Sequence, residues 1–197
     1  MKEIEITLRV FNTLEEVDKI LKAQGFKIKE TYRLEDIYMK KTSSKLCKRN
    51  ILKVLNNSIL IRHIIEKDKE NILLTYKKKE YKNKKLLAET KYNIKINDID
   101  SAYNFFLQIG FEKLIDVNST LIVYTNEEIE LCFQNVDNLG LLLEVESNKN
   151  YIDSSDEEIE KEKTKMSKNL KKYGLNLSND YNVKKAYELI KKELFEK

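Results

Sequence analysis

Residues 2–10, KEIEITLRV, alternate between apolar and polar side chains along almost their whole length. The even-numbered positions from 4 to 10 carry Ile, Ile, Leu and Val, and the odd-numbered positions between them carry Glu, Thr or Arg. Successive side chains of an extended strand point to opposite faces, so the stretch predicts a strand with one apolar and one charged face. Two interpretations of the charged face are open: it lies in water on a half-buried sheet, or it forms the wall of a site.

Outward from this stretch, strand patterns recur along the chain. They cover residues 26–41, 58–65, 71–79, 85–96, 111–125, 128–136 and 139–147. Amphipathic helical patterns cover residues 14–25, 98–110, 153–174 and 182–197. Residues 43–55 fit either a short helix or a further strand. Many strands with few helices favour an α+β fold built on a largely antiparallel sheet.

We expect this sheet of about eight strands to close into an antiparallel β-barrel, with helices outside and two C-terminal helices. In such a barrel the apolar strand faces pack beneath the helices and the charged faces line the interior. We expect one domain over residues 1–197, with the barrel core and two helices in 1–148 and a helical segment in 149–197. The last helices belong to it because their apolar stripes need a surface to pack against.

Composition excludes several classes of function. Charged residues make up 36% of the 197 residues and the net charge is only +4, without the concentrated basic block of a generic nucleic-acid binder. No apolar run approaches the length of a membrane span. Two distant cysteines, Cys47 and Cys132, and the single His63 disfavour a zinc site or a Cys-His or Ser-His catalytic system. We expect a cytoplasmic protein with reduced, inert thiols and no nucleic-acid or membrane partner.

Two pairs of glutamates share strand faces, Glu3 with Glu5 and Glu144 with Glu146. Residues two apart on a strand lie roughly 7 Å from each other on the same face. Close carboxylates repel, so such pairs accompany a metal ion or a cationic partner, or they are simply solvated. With Lys and Arg on neighbouring strands, the arrangement suits a polyphosphate with Mg²⁺ or Mn²⁺.

The ordered segments EIEIT, ILIRHI, LLTYKKK, AETK and NVDNLGLLLEVES resemble the CYTH family, and the resemblance runs from Lys2 to about Ser147. That family includes class IV adenylate cyclases, thiamine triphosphatases and other triphosphate tunnel metalloenzymes. The resemblance implies an eight-stranded antiparallel barrel around a charged tunnel. It also implies a nucleotide or another organic or inorganic triphosphate as the partner. A homodimer is a further assembly left open.

Roles carried over from the resemblance fall on matching positions. Metal binding is implied for Glu3, Glu5, Glu144 and Glu146, and phosphate binding for Arg62 and Lys77. Lys91 joins the phosphate-binding group as a replacement cation, and Glu89, Thr7 and Gln134 are expected to line the tunnel. Asp36 and Tyr38 match a D-x-Y strand, where a structural role is expected. The catalytic residue is left unassigned.

The chain also departs from the family pattern. Family cations are replaced by Thr7, Leu60, Ser119 and Leu121, and acidic positions by Lys91 and Gln134. Fewer cations stabilise less of the charge that develops on a triphosphate. We therefore expect metal-dependent triphosphate binding with hydrolysis. The first alternative is a class IV-type adenylate cyclase. The second alternative is a catalytically degenerate tunnel that only binds a phosphorylated ligand.

Overall fold

The predicted strands form with small changes at their ends. The structure, a computed structural model, describes residues 4–82, 85–147, 151 and 154–196; side chains from 78 to 89 are not described. The strands are β1 (Glu5–Arg9), β2 (Lys27–Lys41), β3 (Ile59–Ile65), β4 (Glu70–Lys82), β5 (Lys85–Ile96), β6 (Phe111–Thr125), β7 (Glu130–Val136) and β8 (Gly140–Glu146). The prediction of eight strands is confirmed.

The helices also lie where their periodicity predicts them. They are α1 (Leu14–Lys22), α2 (Ile51–Leu55), α3 (Ile99–Gln108), α4 (Asp156–Leu170) and α5 (Lys185–Phe195). Reciprocal capping boxes, Thr13 with Glu16 and Ser155 with Glu158, fix the first turns of α1 and α4. The ambiguous stretch resolves as α2, a helix of 5 residues that is too short to show a period.

All eight strands belong to one antiparallel sheet in the order β1-β8-β7-β6-β2-β3-β4-β5. Every neighbouring pair is antiparallel. The α+β class and the antiparallel sheet are therefore confirmed. β1 and β5 are the two edge strands of this order, whereas the first and last strands of the chain, β1 and β8, are neighbours.

The closed barrel is not confirmed, because among the described residues no ladder joins β5 to β1. The outer edge of β1 is instead bonded to residues 176–183. The Thr7 N–H donates to the Tyr181 carbonyl at 3.0 Å, and the Thr7 carbonyl accepts from the Val183 N–H at 3.1 Å. Since these groups of β1 already have partners, they are not available to pair with β5.

The sheet nevertheless curls until its edges come within side-chain reach. Lys91 on β5 contacts Glu5 on β1 and Glu146 on β8. The face that carries these three residues is therefore the concave face. Helix α4 contacts both β1 and β5, so it lies along the seam between the two edges.

Helix packing differs from the prediction for two helices. α1, α3 and α4 pack on the outer apolar face, for example Val17 of α1 in one cluster with Ile6 and Phe133. α2 and α5 instead share a cluster with Val136 and Leu142. Leu142 alternates with Leu143 and lies on the face of Glu144, so α2 and α5 fill part of the concave face. The expectation that helices lie outside is wrong for these two.

Within the described part of the chain, none of the helices is long and apolar enough to cross a membrane. The division into a barrel core over 1–148 and a helical segment over 149–197 stays a prediction. Residues 176–183 and α5 do, however, contact β1 and the concave face.

Candidate functional site

Three of the four predicted acidic residues converge on the concave face. Glu5 lies directly opposite Glu146 in the β1–β8 register, and Glu144 lies opposite Thr7. One carboxylate oxygen from each of Glu5, Glu144 and Glu146 lies within 4.8 Å of the others. We call these residues the carboxylate triad. Glu3, the fourth predicted ligand, lies outside the described residues.

Two lysines contact the carboxylate triad from opposite sides. The Lys91 ammonium lies 2.7 Å from Glu146 Oε1 and 3.8 Å from Glu5 Oε2. Lys185, the first residue of α5, lies 3.3 Å from Glu144 Oε2 and also donates to the side-chain oxygen of Gln134. Each member of the triad is therefore in contact with an ammonium group.

The charges of the site shift the pKa of its central carboxylate. Burial alone would raise the pKa of Glu144, but Lys185, Lys77 and Lys91 around it lower that pKa to about 2. Burial acts to lower the pKa of Lys185, yet Glu144 and Glu5 outweigh it and raise that pKa. Both groups are therefore charged at neutral pH, as metal binding and phosphate binding respectively require.

Arg62 is held by a carboxylate that we assigned a structural role. Its Nε and Nη2 donate to Asp36 Oδ1 and Oδ2, both at 2.7 Å. Asp36 lies opposite Arg62 in the β2–β3 register, so the pair is built across neighbouring strands. Although burial opposes it, the Asp36 carboxylate raises the pKa of Arg62. This bidentate pair fixes the direction of the guanidinium.

An open cavity of about 500 Å³ leads to the triad. Glu144 and Glu146 line it, together with Tyr32 and Cys132. Four further carboxylates line the cavity and are exposed to solvent, and we call them the acidic mouth: Glu30, Glu127, Glu128 and Glu130. The size of the cavity suits a small organic or inorganic ligand. Its negative charge disfavours an anion that carries no bound cation.

Comparison with known proteins finds relatives that cover nearly the whole chain. No family model matches the chain. The curated protein "Putative adenylate cyclase MJ0240" of Methanocaldococcus jannaschii is 27% identical over 187 residues, covering 95% of this chain and 97% of that protein. The matched range includes nearly the whole fold described above. The name of this relative agrees with the resemblance of the sequence to the CYTH family, which includes class IV adenylate cyclases.

Solved structures share the fold at low sequence identity. The PH1819 protein of Pyrococcus horikoshii has a TM-score of 0.74 and 20% identity, covering 97% of this chain and 99% of that chain. The Hippeastrum protein HpAC1, described as a "putative adenylyl cyclase" with a dominant triphosphatase activity, has a TM-score of 0.62 and 13% identity. The match covers 98% of this chain and 96% of the HpAC1 chain. These likenesses show that the overall fold is shared with these solved structures.

The four positions at which this chain lacks a cation of the CYTH pattern lie in a buried part of the concave face. Thr7, Leu60, Ser119 and Leu121 are all buried. Leu60 shares its strand face with Arg62, and Leu121 lies opposite Gln134. Buried, uncharged side chains therefore stand where the resemblance implies phosphate contacts, and the ammonium of Lys185 on α5 lies beside Glu144 on the same face.

Sequence reasoning missed Lys185 and Tyr32. Lys185 belongs to a Lys-Lys doublet in a lysine-rich tail, and no spacing rule distinguishes it from its neighbours. Tyr32 shares its strand face with Asp36, so the alternation of β2 was a usable signal. Burial, followed by the nearby Cys132 and Glu30, raises the pKa of Tyr32, so its phenol stays neutral.

The other predicted residues have mixed outcomes. Gln134 is buried and accepts from Lys185, and Lys77 lies opposite Lys91 in the β4–β5 ladder. The side chain of Glu89 is outside the described part. His63 lies on the outer face, where Nε2 is 3.0 Å from Glu70 Oε2. The roles of these residues in binding stay predictions.

The two cysteines are expected to differ sharply in reactivity. Cys47 is exposed, whereas burial and then Glu144 raise the pKa of Cys132 to about 12. Because the thiolate is the nucleophile, we expect Ellman's reagent to modify Cys132 at least about 100-fold more slowly than Cys47 in the native protein. Stopped-flow absorbance on wild type and Cys47→Ser measures both rates, and equal rates would contradict the partly buried position of Cys132.

Proposed function

We propose that this chain binds a triphosphate, as its complex with a divalent metal ion, on the concave face and hydrolyses it. The observation that supports the proposal is the carboxylate triad with Lys77, Lys91 and Lys185 around it. Acidic and basic groups side by side on the concave face match the two components of such a complex. An apolar ligand pocket does not need this combination.

The donor set fits Mg²⁺ or Mn²⁺. Both ions prefer oxygen ligands, and Mg²⁺ is often held by one or two protein carboxylates plus phosphate oxygens. Glu5, Glu144 and Glu146 would hold the ion. When bound, the ion supplies charge neutralisation on phosphoryl oxygens. It also offsets the repulsion that the acidic mouth exerts on a free polyanion.

The chain's own cations would act on the phosphate oxygens. Lys77, Lys91 and Lys185 approach the triad from β4, β5 and α5, so they surround a ligand rather than contact it from one side. Charge spreads over the phosphoryl oxygens in the transition state of phosphoryl transfer, and positioned ammonium groups stabilise it. The same lysines orient the chain of phosphates for in-line attack by water.

Adenylate cyclisation is the second candidate, and the archaeal relative's name favours it. In that reaction the ribose hydroxyl of ATP, rather than water, attacks the α-phosphate and pyrophosphate leaves. The site would have to hold a purine in addition to the phosphates. Tyr32 in the cavity wall offers one aromatic face for it.

Product analysis with purified protein tests the proposal. Tripolyphosphate, ATP and thiamine triphosphate are each incubated with Mg²⁺, Mn²⁺ or EDTA, and phosphate, pyrophosphate and cyclic AMP are quantified. We expect metal-dependent phosphate release from at least one substrate and none with EDTA. Cyclic AMP with an equal amount of pyrophosphate would favour cyclisation. Absence of turnover with every pair, despite tight binding of a metal–triphosphate complex, would identify a binding protein.

A further inference from the structure

Lys91 occupies the side of the carboxylate triad that a metal ion would need. Its ammonium contacts Glu146 at 2.7 Å and Glu5 at 3.8 Å, so it bridges two of the three carboxylates. Only 25% of the Lys91 side chain is exposed to solvent. An ammonium group therefore sits between the two carboxylates that a divalent ion would join.

A divalent ion held by the triad would compete with this ammonium for the carboxylates of Glu5 and Glu146. Both need the carboxylate oxygens, and two cations side by side repel each other strongly at a partly buried site. Binding of the ion therefore displaces Lys91 from Glu5, Glu146 or both. The displaced ammonium stays tethered to β5 beside the ion and needs another anion.

The neighbouring Lys77 increases the need of the displaced Lys91 ammonium for an anion. Lys77 and Lys91 lie directly opposite each other in the β4–β5 ladder. Like charges opposite each other on neighbouring strands are destabilising unless an anion lies between or beside them. The triad supplies that anionic charge before the ion binds, and a triphosphate is suited to supply it afterwards.

We infer that Lys91 couples the two ligands: it weakens binding of the metal ion alone and strengthens binding of the ion together with the triphosphate. The inference rests on the proposed function and adds a specificity for the preformed metal–triphosphate complex. Such coupling is reciprocal, so each ligand raises the affinity for the other by the same factor. The residue acts here as a specificity determinant and not as a nucleophile or base.

Binding of Mn²⁺ alone, measured by the electron paramagnetic resonance signal of the free ion, tests this inference without turnover. We expect Lys91→Gln to bind Mn²⁺ about tenfold more tightly than wild type, because the competing charge is gone. The same variant should bind preformed Mn²⁺–tripolyphosphate about tenfold more weakly, measured by calorimetry over times too short for turnover. Lys91→Arg keeps the charge and should resemble wild type in Mn²⁺ binding.

The matched control is Lys95→Gln, on the same strand and face as Lys91 but exposed. It removes one positive charge about 13 Å further along the strand, and Mn²⁺ affinity should change less than about twofold. Unchanged Mn²⁺ affinity in Lys91→Gln, with measurable binding in wild type, would overturn the inference and leave the proposed function standing. Absence of Mn²⁺ binding in wild type and Lys91→Gln alike would overturn the metal site and the inference together.

Discussion

Glu144→Gln is expected to reduce metal-dependent turnover of the preferred triphosphate by at least about 1,000-fold, which corresponds to roughly 4 kcal/mol of transition-state stabilisation. Glu144 is surrounded by Lys185, Lys77 and Lys91, which lower its pKa to about 2 and keep it ionised. The amide keeps the shape of the side chain but removes the charge that would hold the ion. Steady-state phosphate release across a Mn²⁺ titration measures the effect.

The control for this variant is Glu130→Gln. Glu130 lines the same cavity but belongs to the acidic mouth, and its partner Lys29 is exposed. Its loss should change turnover by less than about threefold, as for other surface ion pairs. Because Glu144→Gln leaves Lys185 without its carboxylate, urea unfolding of this variant is measured as well, and it separates instability from lost chemistry. Turnover of Glu144→Gln within tenfold of wild type would remove Glu144 from the proposed metal site.

Asp36→Ala is expected to lower the free energy of unfolding by about 3 kcal/mol. It leaves the Arg62 guanidinium, with only 20% of its side chain exposed, without the carboxylate that binds both of its nitrogens. Urea unfolding followed by circular dichroism measures the loss, and the melting temperature should fall by about 6–12 °C.

Asp137→Ala is the matched control, because Asp137 forms an exposed ion pair with Arg33 at 3.0 Å. Exposed pairs contribute about 0–1 kcal/mol, so this variant should be nearly as stable as wild type. The double variant Asp36→Leu with Arg62→Met replaces the buried pair with apolar groups and should recover most of the stability. Equal stability of Asp36→Ala and Asp137→Ala would show that the Asp36–Arg62 pair is solvated.

The sequence alone could predict the strands and the location of the carboxylate triad, because both depend on local alternation. An E-x-E segment at each end of the sheet-forming region fixes which strand face is acidic. The antiparallel register then places Glu5 beside Glu146. The same alternation places Cys132 and Gln134 on one face of β7, so the position of Cys132 at the site was within reach of sequence reasoning.

The edge of the sheet and the path of the tail could not be predicted in this way. Residues 176–183 bond to β1 through backbone groups, and every sequence offers such groups alike. The position of Lys185 depends on that path, since it follows the bonded segment by two residues. Apolar stripes on α5 predicted that it packs, but a stripe does not say whether its partner is the outer or the concave face.

The pairing partners of β1 also determine when this strand can join the sheet during synthesis. β1 is synthesised before the other seven strands, yet its ladder partner β8 and the segment that covers its other edge lie more than 130 residues later. Loop closure over such a distance is slow, and chains dominated by non-local contacts fold slowly. A nascent chain therefore carries Glu5 on an unpaired strand until β8 emerges, and the other edge of β1 stays open until residues near 183 emerge. A chain that stops before β8 would leave the backbone groups of β1 unpaired and would lack Glu144 and Glu146.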